Sequence, residues 1–132
     1  MDVHFSEVRV RYAETDQGGV VYHSNYLYYF EVGRTEMLRD RGCPYAEIEA
    51  AGCALAVVDC RIAFKSPARY DDLLVVETRV VDVRRVRLAI ATRILRKASG
   101  ALLAEGEIVL AALDRSGRPR ALPDAVLRLG RK

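Results

Sequence analysis

Tryptophan is absent from these 132 residues, and histidine occurs only twice, at His4 and His23. Two histidines so far apart, with no H-x-x-x-H and no paired cysteines, exclude the common protein metal sites. Cysteine is sparse as well: Cys43, Cys53 and Cys60 form an odd set without C-x-x-C spacing. They read as reduced thiols of a cytoplasmic protein, packed as small apolar residues. A catalytic thiol would need a base nearby, and neither histidine is close in sequence. No apolar run is long enough to span a bilayer. The start, Met1-Asp2-Val3-His4, lacks the basic region and apolar run of a signal peptide. Neither sign of charge dominates, since 21 Lys and Arg against 18 Asp and Glu leave +3. That balance argues against a dedicated nucleic-acid binder. Gly18-Gly19 meets neither the P-loop nor the dinucleotide spacing. No metal or redox cofactor is therefore expected.

What is present suits a single domain over residues 1–132, with 51% hydrophobic and 30% charged residues. From Glu7 to Tyr12, Val8, Val10 and Tyr12 alternate with Arg9 and Arg11, the period of a half-buried strand. Gly18-Gly19 ends it, and Ser24 or Asn25 can cap a helix whose apolar stripe is Tyr26, Leu27, Phe30, Met37 and Leu38. That helix runs to near Arg41, with Gly42 as its stop. Gly33 lies on the same stripe, where a glycine costs about 1 kcal/mol relative to Ala. Close approach of the helix backbone to a sheet is the simplest reason to keep it there.

Beyond a short irregular or helical piece (Pro44 to Gly52), strands are expected over Ala54–Phe64, Leu73–Val83 and Val86–Ile94. A further strand has Leu102, Ala104, Ile108, Leu110 and Ala112 on one face. Lys97 to Gly100 and Asp114 to Gly117 are turns, and Pro123 to Leu129 is a candidate short helix. One strand, one long helix and four strands joined by short turns make an antiparallel sheet with a helix packed on it, an α+β arrangement.

Chemistry concentrates between Tyr12 and Tyr26. Asp16 falls in a turn just before the N-terminus of the long helix, where unpaired backbone N–H groups favour negative charge. A carboxylate beside an oxyanion site is the raw material of acyl transfer. Ordinary turn chemistry is the plainer use of an Asp here.

Asp16-x-x-Gly19-x-Val21-x-x-x-Asn25-Tyr26, continuing to Phe30-Glu31 and Arg34-Thr35-Glu36-Met37-Leu38, resembles the signature of hotdog-fold acyl-CoA thioesterases. The branch it resembles is that of the 4-hydroxybenzoyl-CoA thioesterases, and within it the Tol-Pal-associated acyl-CoA thioesterases. Phe64 to Leu73 and Arg118 to Pro123 extend the likeness in family order over nearly the whole chain. The resemblance implies a five-stranded antiparallel sheet wrapped around one long central helix. It also implies hydrolysis of an acyl-CoA thioester, with coenzyme A as part of the substrate and acyl carrier protein as another possible carrier.

By the same resemblance Asp16 aligns with the catalytic aspartate, as nucleophile or as base for water. The backbone N–H at His23 matches the oxyanion donor, and the imidazole of His23 is either a chemical participant or packing at the helix start. Gly19 would give the tight turn beside the substrate. Tyr22, Asn25 and Tyr26 would line the acyl pocket or stiffen the loop, with core packing favoured for Tyr26. Glu31 is the rival carboxylate, better suited to a salt bridge with an Arg or a supporting role. Arg84 and Arg85 match a basic pair at the nucleotide end of coenzyme A, and Arg118 and Arg120 are further candidates for its phosphates. His4 is expected at the surface. A homo-oligomer, a dimer of dimers, is expected because one helix covers only one face of an apolar sheet. Two other classes fit less well: an acyl-thioester hydratase or dehydratase using His23 with Asp16, and a non-catalytic acyl-CoA or acyl-carrier-protein binding module.

Overall fold

The first strand, β1, is His4–Arg9, earlier than its alternation suggested, and Tyr12–Glu14 is a 3-10 turn. The computed structural model describes residues 2–130. Val10 is still buried, but Tyr12 is fully on the surface. The apolar–polar period continues past the last ladder bond, because Val10 bonds to the Asp72 carbonyl of a turn instead of a strand partner. His4 is not a surface residue. It sits on the inner side of β1, with Nε2 2.7 Å from Asp40 Oδ2 near the far end of the long helix.

That helix, α1, spans Asn25–Asp40. Neither Ser24 nor Asn25 caps it with a side-chain hydrogen bond to the first turn. Asn25 Nδ2 instead donates backward to the Glu14 carbonyl at 2.8 Å. The stop is as expected: Gly42 takes φ +83°, and Cys43 N–H reaches back to the Leu38 carbonyl at 2.9 Å. Tyr26, Tyr29, Phe30, Gly33, Met37 and Leu38 are buried, whereas Leu27 is 43% exposed. Tyr29, one position over from the expected stripe, takes the place of Leu27. Gly33 is where α1 meets the sheet. A Cβ there would lie 2.5 Å from Thr78 Oγ1 and 2.6 Å from Val76 Cγ1.

Helix α2 is Tyr45–Ala50, followed by β2 (Ala54–Phe64), β3 (Leu73–Val83), β4 (Arg87–Arg96) and β5 (Leu102–Leu113). Helix α3 is Asp124–Leu127, continued by a 3-10 turn at Arg128–Gly130. All strand pairs are antiparallel, in the order β1-β3-β4-β5-β2. The register of β4 against β5 slips between Ile94 and Leu95, leaving Leu103 as an extra residue. Leu103 and Ala104 are consequently both buried, and Leu102 is not.

The sheet curls around α1, and its inner face with the helix forms the core. Its outer face is not apolar. Glu77 pairs with Arg93 at 3.1 Å, and Arg61 approaches Glu107 at 3.7 Å, along a groove of about 570 Å3. Exposed apolar side chains gather on edge strand β2, with Phe5 exposed on the other edge, β1. Val57 is 51% exposed, Val58 48% and Phe64 53%, and Cys60 is exposed too, unlike buried Cys43 and Cys53.

Candidate active site

Residues 14 to 22 form a small hairpin. Tyr22 N–H bonds to the Glu14 carbonyl at 2.9 Å, Thr15 bridges Val21, and Asp16 N–H bonds to the Val20 carbonyl at 2.8 Å. Gln17, Gly18 and Gly19 form the tip, where Gly19 takes φ +80° and returns its N–H to the Asp16 carbonyl at 3.1 Å. Asp16 Oδ1 accepts from Gly18 N–H at 2.8 Å and Val20 N–H at 3.3 Å. One carboxylate oxygen therefore holds the turn. Among the described residues Oδ2 has no hydrogen-bond partner, and Asp16 is exposed.

The second arm of the hairpin runs directly into α1. Asn25, Tyr26 and Leu27 N–H groups close turns onto Tyr22, His23 and Ser24 carbonyls, while the His23 and Ser24 N–H groups have no partner among the described residues. The His23 N–H and one Asp16 carboxylate oxygen are thus both uncommitted at the entry to α1. The His23 ring is tilted on Tyr22 with centroids 4.4 Å apart and makes no hydrogen bond to Asp16 among the described residues. The histidine–carboxylate pair of a hydratase is thus not formed.

The segment after β2 holds the hairpin from the other side. Val21 N–H bonds to the Ala68 carbonyl at 2.8 Å, Val20 bridges Arg69, and Tyr26 Oη accepts from Ala68 N–H at 3.1 Å. Tyr26 is buried and packs edge-on against Phe64. It is a core residue, as favoured from its place on the stripe, and it stiffens the loop as well. Tyr12, Tyr22, Phe64 and Tyr70 surround the hairpin with exposed rings. Asn25 is half-buried and braces the backbone, and Tyr22 is the member of the Tyr22, Asn25 and Tyr26 group left open to a ligand.

Glu31 lies farther along α1 and faces β2, lining a small cavity of about 180 Å3 with Arg34, Thr35 and Leu55. No arginine pairs with it among the described residues, and its Oε1 accepts from Thr35 Oγ1 at 3.4 Å. Partial burial lowers the pKa of the Arg34 guanidinium through desolvation, against the opposing pull of Glu31.

Arg84, Arg85, Arg118 and Arg120 come together at one end of the sheet. Leu122 N–H bonds to the Arg85 carbonyl, and Leu113 bridges Pro119. Arg84 pairs with Asp82 at 2.8 Å on the open surface. Arg120 is committed to its own chain, donating to Ala121 and Ala51 carbonyls at 2.8 and 3.1 Å. The Asp16 hairpin contacts residues that precede β3, whereas Arg84 and Arg85 follow it. At about 3.3 Å per residue, the 11 residues of β3 put the two clusters roughly 30 Å apart within one chain.

Glu14 and Tyr29 did not enter the sequence-based site, yet they tie it together: Tyr29 Oη donates to Glu14 Oε1 at 2.8 Å. A buried tyrosine two turns below a motif aspartate gave no separate signal in the pattern.

A five-stranded antiparallel sheet curled on one long helix, with a motif aspartate at the helix entry, defines a hotdog-fold α+β protein. A family described as the thioesterase-like superfamily matches residues 10–129, and the chain belongs to it: it is a thioesterase by fold and sequence. The acyl-CoA thioester hydrolase YbgC of Escherichia coli is 37% identical over 121 residues, 91% of this chain and 90% of that protein. The putative acyl-CoA thioesterase YneP of Bacillus subtilis is 48% identical over 82 residues, 62% of this chain and 59% of its own length. The crystal structure of the DHNA-CoA thioesterase from Staphylococcus aureus superposes with TM-score 0.89 at 32% identity, covering 92% of this chain and 82% of that one.

Proposed function

We propose that the protein hydrolyses an acyl-CoA thioester to the free acid and coenzyme A. The observation that carries this reading is the pairing of Asp16, one carboxylate oxygen uncommitted, with the unbonded His23 N–H at the entry to α1. In the reaction a carbon–oxygen bond forms at the thioester carbonyl and the carbon–sulfur bond breaks. The leaving thiolate takes up a proton, and oxygen from water ends in the acid. Asp16 either attacks the carbonyl itself, giving a mixed anhydride that water opens, or takes the proton from an attacking water. In this reading the His23 N–H stabilises the carbonyl oxygen as charge builds on it. The names of the relatives support acyl-CoA as the thioester. Acyl carrier protein is the second carrier to test, and the cysteine thiols suit a cytoplasmic setting.

The site is completed, in this reading, by a second copy. Strand β2 is a sheet edge with exposed Val57, Val58 and Phe64. Antiparallel pairing of two such edges sets the Phe64 end of one chain, beside its Asp16 hairpin, against the Ala54 end of its partner. That end adjoins Arg118 and Arg120 through the Leu113–Pro119 bridge and the Arg120–Ala51 bond. Pairing of this kind brings arginines near an aspartate that one chain alone leaves roughly 30 Å from Arg84 and Arg85.

The test is thiol release from a panel of aliphatic acyl-CoAs of several chain lengths and aroyl-CoAs, with acyl carrier protein thioesters alongside. Free thiol from at least one saturated acyl-CoA or aroyl-CoA is expected. Hydration of an enoyl-CoA without thiol release would replace this reading with a hydratase. Binding without any turnover would leave a binding module.

A further inference from the structure

The first arm of the hairpin that carries Asp16 is fastened to α1 through one residue, Glu14. The Glu14 carbonyl accepts two bonds, from Tyr22 N–H at 2.9 Å and Asn25 Nδ2 at 2.8 Å. Its side chain accepts two more at Oε1, from Arg11 N–H at 2.9 Å and Tyr29 Oη at 2.8 Å. Tyr29 is fully buried, and its ring packs edge-on against Tyr26, which in turn holds Ala68 N–H on the other side of the hairpin. Glu14 is two residues before Asp16, and Tyr22 is the residue before His23.

We propose that Glu14 and Tyr29 are positioning residues, which set the separation between the Asp16 carboxylate and the His23 N–H by bonding the first arm of the hairpin to the second turn of α1, the helix that the second arm enters. The inference rests on the acyl-transfer reading of Asp16 and His23 given above. The distance that matters in acyl transfer is between the group that attacks or takes the proton and the donor that meets the oxyanion. In this chain those two groups sit on opposite arms of a ribbon whose tip is glycine-rich and exposed. Three cross-arm contacts do not fix a ribbon so short in water, since an isolated hairpin is marginal. The Ala68 and Arg69 contacts hold the second arm, and the Tyr29–Glu14 bond anchors the first in a partly buried setting. There a hydrogen bond to a carboxylate is stronger and leaving a partner unsatisfied costs more. Desolvation, followed by the bond to Glu14, raises the Tyr29 pKa well above its ordinary value, so its hydroxyl remains a donor throughout the neutral range.

Tyr29→Phe keeps the ring and removes only the donor. With the acyl-CoA found most active in the panel, kcat is expected to fall about tenfold to a hundredfold, the scale on which small misplacements act. KM should stay within about twofold, because the bond touches no substrate. Glu14→Ala should match it, while Glu14→Gln, which keeps an oxygen acceptor, should recover most of the rate. Amide exchange at Asp16 and Tyr22 should quicken in Tyr29→Phe and Glu14→Ala while α1 stays protected. Wild-type kcat in Tyr29→Phe together with unchanged exchange at those amides overturns the proposal. So does a Glu14→Gln variant as damaged as Glu14→Ala, which would mean that charge and not the tether matters. If the wild-type protein releases thiol from no substrate tested, the functional reading fails on its own account. The exchange data then decide alone whether Glu14 and Tyr29 hold the hairpin.

Discussion

At Asp16 one side chain is divided: Oδ1 fastens a turn, and Oδ2 is the oxygen the proposed chemistry would use. Asparagine can keep the first, because its amide oxygen still accepts from Gly18 and Val20, but it cannot attack a carbonyl or take a proton. Asp16→Asn should therefore fold normally and lose at least about a hundredfold in kcat, within the range typical of general-base removal. Glu31→Gln should stay within a few fold of wild type, since Glu31 contacts Thr35 away from the hairpin. Steady-state thiol release checks both, and the opposite ranking would move the chemistry to Glu31. Tyr29 offers a separate test in stability. Its folded pKa is raised, so its contribution is whole below the ordinary tyrosine pKa of 10.0 and is lost as pH rises beyond it. Urea midpoints measured from pH 8 to 11 should fall more steeply for wild type than for Tyr29→Phe. The turn at Asp16 was legible in the sequence because its motif is local. The Glu14–Tyr29 bond was not, because it joins residues 15 apart through a helix orientation that sequence spacing leaves open.

Elements were legible where one period ran without interruption. The bounds of β2 and β3 fall where alternation and flanking turns put them, and Gly33 was singled out for a close approach that does exist. Misreadings arose where the chain breaks its own period. The extra Leu103 took the buried place expected of Leu102 while Ala104, Ile108, Leu110 and Ala112 kept theirs, and β1 lost its last three expected positions to a turn pinned by Asp72. Gly33→Ala makes the close approach measurable. Alanine would gain about 1 kcal/mol in helix propensity, but its Cβ would meet Thr78 and Val76 inside 3.0 Å. Overpacking of this kind costs about 1–3 kcal/mol, and the contacting atoms belong to short, buried side chains that have little room to yield. A net loss of stability is expected by urea denaturation. A variant as stable as wild type would show that α1 can lift off the sheet without penalty.

For the molecule as a whole, the oligomer is still to be tested, and of the surfaces that suggested it the sheet edge offers more than the outer face. The outer face of the sheet carries paired Arg and Glu, whereas β2 presents its free edge and its apolar side chains together. An 11-residue edge without proline, with Val57 and Val58 half exposed at its middle, invites pairing with another strand. A charge at Val58 would be solvated in a monomer and desolvated in an edge-paired dimer. Val58→Asp should leave the circular dichroism of the fold intact, halve the mass seen by light scattering at micromolar concentration, and abolish turnover if the site needs both copies. Replacing Arg118 with Ala should raise KM for acyl-CoA, with less effect on a truncated thioester lacking the nucleotide. Chains carrying Arg118→Ala can then be mixed and re-associated with chains carrying Asp16→Asn. Complementation, in which an inactive Asp16→Asn chain lends its arginines to a partner with an intact aspartate, would place the two ends of one substrate on two chains. A wild-type protein that scatters as a monomer and still releases thiol at full rate would remove the need for a second copy. It would also require the nucleotide to be held by groups nearer Asp16 than any of the four arginines.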